Sequence, residues 1–325
     1  MTTQTVKLGT RGSPLALAQT RMVAAALVRH NPDLDVEIVT ITTTGDRIQD
    51  RALADAGGKG LFTKEIEEAL IDGRIDAAVH SMKDMPTWLP QGLMIGCVLP
   101  REDARDVLFS RHHGANGQAG TLADLPQGAV VGTASLRRQA IVQSLRPDLR
   151  VVVFRGNVGT RLAKLQAGEV DATLLAKAGL NRLNIHEPAA YVMPIDEMLP
   201  AAAQGIVGVE IRDSDSRMQA LLAPCNCAVT ELSMVAERAF LDVMDGSCRT
   251  PIAAHMQTPD PQGRARFDVL VARPDGSEVV RDSYIMEVRH VGDAQRLGRH
   301  AGETMRAKLP PDFIAAAEVF ANKKI

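Results

Sequence analysis

Aromatic residues are scarce, with one Trp, two Tyr and seven Phe in 325 residues. The core must therefore be built from Ala, Val, Leu, Ile and Met, and base stacking between basic side chains is disfavoured. Cysteine is scarce too: Cys97, Cys225, Cys227 and Cys248. Four in a chain of this length make no disulfide framework, and free thiols suit a reducing cytoplasm. Cys225 and Cys227 have no second ligand pair at zinc spacing, so no metal is expected. No apolar run reaches the length of a bilayer span, and MTTQTVKLGTRGS has no apolar h-region, so neither a membrane nor an export signal is expected. Charge of one sign is not in excess either. The net charge of −2 gives no general attraction to nucleic acid or anionic lipid.

What is present is an ordinary globular composition, 45% apolar and 23% charged, in a chain long enough for two or three domains. The basic character is local. Residues 130–161 read as strand, helix, strand and helix start. Val130 and Val131 end at Gly132-Thr133, and Ser135 stands at an N-cap position. Val151–Phe154 ends at Arg155-Gly156-Asn157. In open α/β sheets ligands bind beyond the carboxyl ends of strands, near helix N-termini. Both turns fall there and carry Ser135, Arg137, Arg138, Arg155, Asn157, Thr160 and Arg161, with no carboxylate among them. Guanidinium groups grip carboxylate or phosphate with paired bonds, so the stretch reads as an anion site. A solvated basic helix face is the alternative.

The same order occurs earlier. Val6–Leu8 is a strand, Ser13 caps a helix with Pro14 at its first position, and Leu15, Ala18, Met22 and Ala25 form an apolar face. Val36–Thr42 is a strand. Residues 43–60 are a polar, Gly-rich loop and a candidate lid. Its Gly57-Gly58-Lys59-Gly60 lacks the Ser or Thr of a phosphate loop. Leu61–Ile71 is a helix, Ile75–His80 a strand, and Ser81–Met85 a turn beyond it. Strand-Gly-Thr-helix-Pro-Asp-Leu-strand and helix-Gly-x-x-Asp-Ala-strand each occur twice, which implies two similar α/β domains facing across a cleft. Ile206–Ile211 then crosses back to the first domain, making a hinge. Glu231–Met244 is a helix with the face Leu232, Val235, Ala239 and Val243. Phe267–Ala272 and Glu278–Glu287 are strands around Pro274-Asp275-Gly276, and Ala294–Lys308 is a last helix. The expected division is residues 1–104 with 206–224, residues 105–205, and a small α+β domain at 225–325.

Two further residues draw notice. Cys248 lies on a turn beside Arg249, where a cation would favour its thiolate, although these residues alone favour an inert buried cysteine. Asp84, beside Lys83, is the one carboxylate in a basic neighbourhood. It suits acid–base work, stabilisation of a forming cation, or simple helix capping. His80 reads as a satisfied core histidine, and His112-His113 have no partner at metal spacing. These features fit either an enzyme or a carrier for a small polycarboxylate; the failed phosphate loop disfavours phosphoryl transfer.

The motifs GTRGSPLALAQ, GGKGLFTKEIE, AAVHSMKDMP, REDARDVLFS, GTASLRRQ, FRGNVGTRLAKL, AAQGIVGVE and DGSCRTPIAAH occur in order through about the first 255 residues. They resemble those of the hydroxymethylbilane synthase (porphobilinogen deaminase) family. The resemblance implies two domains like the type II periplasmic-binding-protein fold and a small third one. It implies a dipyrromethane cofactor held by thioether to Cys248, and head-to-tail condensation of four porphobilinogens with loss of ammonia, followed by hydrolytic release of the linear product. It implies Asp84 as the catalytic carboxylate, contacting pyrrole N–H groups and stabilising the cation left after deamination. Lys83, Asp84, Ser135, Arg137, Arg138, Arg155 and Gly156 are implied to hold the cofactor. Arg11, Ser13, Arg155, Arg161, Arg182 and Gln204 are implied for substrate, with Arg238 a weaker carry-over and Lys59 and Phe62 in the lid. A cytoplasmic monomer is expected. Two positions depart from the family pattern: Ala134, where serine is common, and Ala203, where glycine is common.

Overall fold

The computed structural model describes residues 4–47, 63–186, 190–244, 251–310 and 313. The lid residues Lys59 and Phe62, and Cys248, lie outside them. In chain order the strands are β1 (Gln4–Thr10), β2 (Leu34–Thr40), β3 (Ala77–Ser81), β4 (Leu93–Val98), β5 (Asp106–Ser110), β6 (Val130–Gly132), β7 (Arg150–Val152), β8 (Ala172–Ala176), β9 (Tyr191–Val192), β10 (Val207–Arg212), β11 (Ile252–Met256), β12 (Arg264–Ala272) and β13 (Val279–Glu287). The α-helices are α1 (Pro14–His30), α2 (Thr44–Arg47), α3 (Lys64–Ile71), α4 (Leu136–Leu145), α5 (Val158–Gln166), α6 (Lys177–Arg182), α7 (Ser216–Leu222), α8 (Ala228–Val243) and α9 (Val291–Lys308).

The first sheet has the order β2-β1-β3-β10-β4, the second β7-β6-β8-β5-β9 and the third β11-β12-β13. In the first, β1 is parallel to β2 and β3, and β10 is antiparallel to β3 and β4. In the second, β6 is parallel to β7 and β8, and β5 is antiparallel to β8 and β9. The two sheets share one spatial strand order and one set of strand directions. The repeat in the sequence is therefore a repeat of fold, two type II periplasmic-binding-protein-like lobes with a small sheet-and-helix unit after them. Each antiparallel strand, β5 or β10, is the one the chain enters after crossing between lobes. The crossings run side by side, with Leu99 N donating to Val207 O at 3.0 Å and Glu102 N to Gly205 O at 3.1 Å.

Three side chains start helices just beyond parallel strands. Ser13 accepts from Ala16 N, Ser135 from Arg138 N and Asn157 from Thr160 N, each satisfying an otherwise orphaned helical donor. The apolar face expected for α1 is displaced. Gln19, Thr20, Val23 and Leu27 are buried, while Leu15 and Ala18 are half-buried and Met22 and Ala25 exposed. Polar residues can occupy the inner face because they have partners: Gln19 Nε2 donates to Ser81 Oγ at 2.8 Å and Thr20 Oγ1 to Ala16 O at 2.9 Å. The face of α8 is displaced likewise, with Met234, Ala236 and Phe240 buried and Leu232 and Val235 only half-buried. Residues 44–47, expected as loop, form α2.

The third unit packs Phe240 of α8 and Leu297 and Met305 of α9 against Phe267 and Val269 of β12. Its other sheet face, through Ala253, Leu270 and Ala272, shares a core with Ala140 and Ile141 of α4. At the β12–β13 turn Gly276 has φ +72° and lies so close to α4 that a Cβ would meet Ser144 N at 2.6 Å. Helix α4 is thus fixed from behind, and its N-terminus carries the Arg137–Arg138 pair.

Candidate functional site

The basic turns follow neighbouring parallel strands. Arg11 and Ser13 follow β1, Lys83 and Asp84 follow β3, Ser135–Arg138 follow β6, and Arg155–Arg161 follow β7. Lys83 and Asp84 ride on a single turn, Met82–Asp84, anchored by Met82 N donating to Ile206 O at 3.0 Å. Both side chains are exposed.

Arg137 and Arg138 are buried and meet a carboxylate that the local sequence did not contain. Asp106, the first residue of β5 and fully buried, accepts from Arg137 Nη2 and Arg138 Nη2, each at 2.7 Å. The expectation of a donor set without a carboxylate is corrected here: strand order brings Asp106 to it. Each arginine also donates to a main-chain carbonyl, Arg137 to Leu199 O at 2.7 Å and Arg138 to Leu174 O at 2.8 Å. Burial pushes the Asp106 carboxyl up, but the two guanidiniums and the bonds from Arg138 and Gln204 outweigh it and hold it well below the usual carboxylate range.

Gln204 links the lobes. Its Nε2 donates to Asp106 Oδ1 at 2.9 Å and to Ala104 O at 2.6 Å, and its Oε1 accepts from Lys83 Nζ at 3.3 Å. It is buried with both ends of its amide engaged. Lys83 is in contact with water and yet has protein around it on the other sides. Burial, with Arg138 and Arg137, pulls its ammonium down to about 8, against the opposing pull of Asp84 and Asp106. Arg161 is lowered by burial and by Arg138 and Arg155, and supported by Asp84, so it stands within electrostatic reach of all three. Its Nε donates to Gly156 O at 2.8 Å, and Gly156 has φ +123° with Thr160 packed where a Cβ would be.

Other residues singled out in the sequence stand elsewhere. Arg182 Nη2 donates to Gly205 O at 2.6 Å, on the second crossing. Arg238, on α8, donates to Pro86 O at 2.6 Å and Thr87 O at 2.9 Å, just beyond Asp84. His80 is a buried core histidine bonded to Glu210 Oε2 at 3.0 Å. His112 meets Asp171 at 3.2 Å.

A dipyrromethane carries acetate and propionate side chains, and the donor set fits such a group. The buried Nε atoms of Arg137 and Arg138 have no hydrogen-bond partner among the described residues. Three cations, Lys83, Arg137 and Arg138, face two carboxylates, Asp106 and Asp84, so the cluster retains positive charge for an anionic ligand. Residues 6–220 match the family model described as porphobilinogen deaminase, dipyromethane cofactor binding domain, and residues 232–307 match its C-terminal domain. The chain belongs to the porphobilinogen deaminase family. A chloroplastic porphobilinogen deaminase of Oryza sativa subsp. japonica is 50% identical over 316 residues, 95% of this chain and 85% of that protein. The porphobilinogen deaminase of Nitrobacter winogradskyi is 50% identical over 312 residues, 94% of each chain. Among solved structures, the periplasmic VFT2 domain of Bordetella pertussis BvgS is similar at a TM-score of 0.40 and 15% identity, covering 68% of this chain and 86% of that one.

Proposed function

We propose that the cationic residues at the strand ends of both lobes bind the acetate and propionate groups of a growing oligopyrrole, and that Asp84 serves its chemistry. The reaction is that of the family, a transferase of porphyrin biosynthesis. Four porphobilinogens are joined head to tail, each losing ammonia, on a covalently held dipyrromethane, and linear hydroxymethylbilane is released by water. When bound, the dipyrromethane supplies the pyrrole carbon to which the first porphobilinogen is joined. The chain's own residues do the rest. Lys83, Ser135, Arg137, Arg138, Arg155 and the backbone at Gly156 hold the cofactor's carboxylates. Arg11, Ser13, Arg155 and Arg161 receive those of the incoming porphobilinogen. Gln204 and Arg182 serve the substrate from behind, by fixing Lys83 and the second crossing. Asp84 accepts pyrrole N–H groups and opposes the positive charge that develops as ammonia leaves. Cys248 carries the thioether.

The observation that supports this most is the setting of Asp84, an exposed carboxylate beside Lys83 and within electrostatic reach of Arg161. A site built only to hold anions gains nothing from a carboxylate there. The division into residues 1–104 with 206–224, 105–205 and 225–325 belongs to the same reading, with three separate sheets in its support. So does action as a cytoplasmic monomer. The free thiols of Cys97, Cys225 and Cys227 suit a reducing compartment. Scarce aromatics and a net charge of −2 speak against nucleic acid as a partner.

Intact mass tests the reading. After exposure to porphobilinogen the full chain is expected to exceed its sequence mass by one dipyrromethane, and Cys248→Ser is expected to stay at its sequence mass. Wild-type protein that gains no mass and releases no ammonia would overturn the proposal in favour of a carrier.

A further inference from the structure

We infer that Asp106 is a positioning residue for the cofactor site, orienting the cations of both lobes from beneath: Arg137 and Arg138 by direct bonds, and Lys83 through Gln204. The inference rests on the function proposed above. Asp106 is fully buried, so it is a partner for the cations and not for a ligand. Its two oxygens are divided between the guanidiniums, Oδ2 taking Arg137 and Oδ1 taking Arg138. With Leu199 O and Leu174 O holding the other terminal nitrogens, each arginine is fixed at both ends. Each keeps further N–H groups for a ligand, among them a buried Nε–H with no partner among the described residues. The same Oδ1 takes Gln204 Nε2 at 2.9 Å, which turns the amide so that its carbonyl oxygen faces Lys83 Nζ.

The charge balance gives Asp106 a second role. Lys83 faces Asp84 from its own turn, Arg137 and Arg138 from α4, and Asp106 from β5. With Asp106 neutralised, two arginine charges act on the ammonium and one of its two carboxylate neighbours is lost. Lys83 would then give up its proton at lower pH and hold ligand carboxylates less well near neutrality. Asp106 begins β5, directly after the first crossing, and Gln204 lies in the second. The chain of bonds Lys83–Gln204–Asp106–Arg138 therefore runs from lobe to lobe through the hinge.

The test uses the full chain without cofactor, as wild type, Asp106→Asn, Asp106→Glu and Gln204→Leu. Thermal unfolding checks folding, and intact mass follows cofactor loading from porphobilinogen across the alkaline range. Folded Asp106→Asn is expected to load at least about tenfold more slowly, with the alkaline fall in loading moved about one pH unit lower. Asp106→Glu is expected to recover part of both. Gln204→Leu keeps the arginine anchor and cuts only the bridge, so it is expected to move the alkaline fall with a smaller change in rate. It also carries the test if Asp106→Asn does not fold. Wild-type loading and an unmoved alkaline fall in folded Asp106→Asn, or an unmoved fall in Gln204→Leu, would overturn the inference. Failure of the wild type itself to load would instead overturn the proposed function.

Discussion

Glu237 on α8 holds Arg101 with both carboxylate oxygens, at 2.6 and 3.1 Å. The same carboxylate accepts from Ala203 N at 2.5 Å and from Met256 N at 2.8 Å. One fully buried group thus joins the first crossing, the second crossing and the third sheet. Removing one member of a buried pair leaves the other charge without compensation. Glu237→Gln is expected to cost about 3 kcal/mol of stability, read as a fall in the urea midpoint. A loss well under about 1 kcal/mol, the range of a surface pair, would show that the knot contributes little.

The hinge also contains strain. Ala203 has φ +58°, a left-handed conformation that crowds a Cβ. Such a residue costs about 1–2 kcal/mol, and a glycine returns about 0.4–1 kcal/mol of that as unfolded-chain entropy. Ala203→Gly is expected to raise stability by about 0.5–1 kcal/mol, with the urea midpoint up and the slope unchanged. A lower midpoint would mean that the Ala203 methyl packs better than its backbone is strained.

In the sequence Ala203 stood out only as a departure from the family resemblance, and its positive φ is a finding of the structure. The capped helices after β1 and β6 were legible for a local reason: Ser13 and Ser135 bond within their own turns, so the signal lies within a few residues. The twofold βαβ order was visible because parallel units repeat their turn residues at fixed spacing. Asp106 was not visible. Its partners lie 31 and 32 residues away and reach it through strand order, which no local pattern encodes. The short strands β4 and β5 were missed as well, since neither alternates cleanly between apolar and polar residues. The inner face of α1 was misjudged because Gln19 is buried by a bond to Ser81, 62 residues on.

The depressed Lys83 has consequences of opposite sign. Its folded value of about 8 lies below the ordinary 10.5, so between the two the unfolded chain binds more protons. The ligand-free fold therefore gains stability as the pH rises through that window. Carboxylate binding goes the other way, because only the ammonium attracts an anion. Loading of the cofactor-free chain from porphobilinogen is expected to slow as the pH passes 8, while the Lys83→Gln variant loads slowly at every pH. Intact mass followed from about pH 7 to about pH 10 checks this. Wild-type loading that does not change across the range would remove Lys83 from binding the cofactor's carboxylates.

Asp84→Asn separates charge from shape. Asparagine keeps the side chain's size and one carbonyl oxygen, so it still accepts a pyrrole N–H, but it loses the negative charge. If Asp84 acts by opposing the charge that develops as ammonia leaves, that loss acts on the transition state and hardly on binding. The expected result is a fall in kcat of at least about 100-fold, the scale of losing one directed electrostatic contact, with KM little changed. The intact mass should still show the cofactor in protein loaded before the measurement, and Asp84→Glu should fall in between. If KM rises in step with the fall in kcat/KM while kcat holds, Asp84 belongs to binding alone. If turnover is near normal, the positive charge is met by something other than this carboxylate. An exposed Asp beside Lys83 and near Arg161 would then be only a local counter-ion for the two cations it faces.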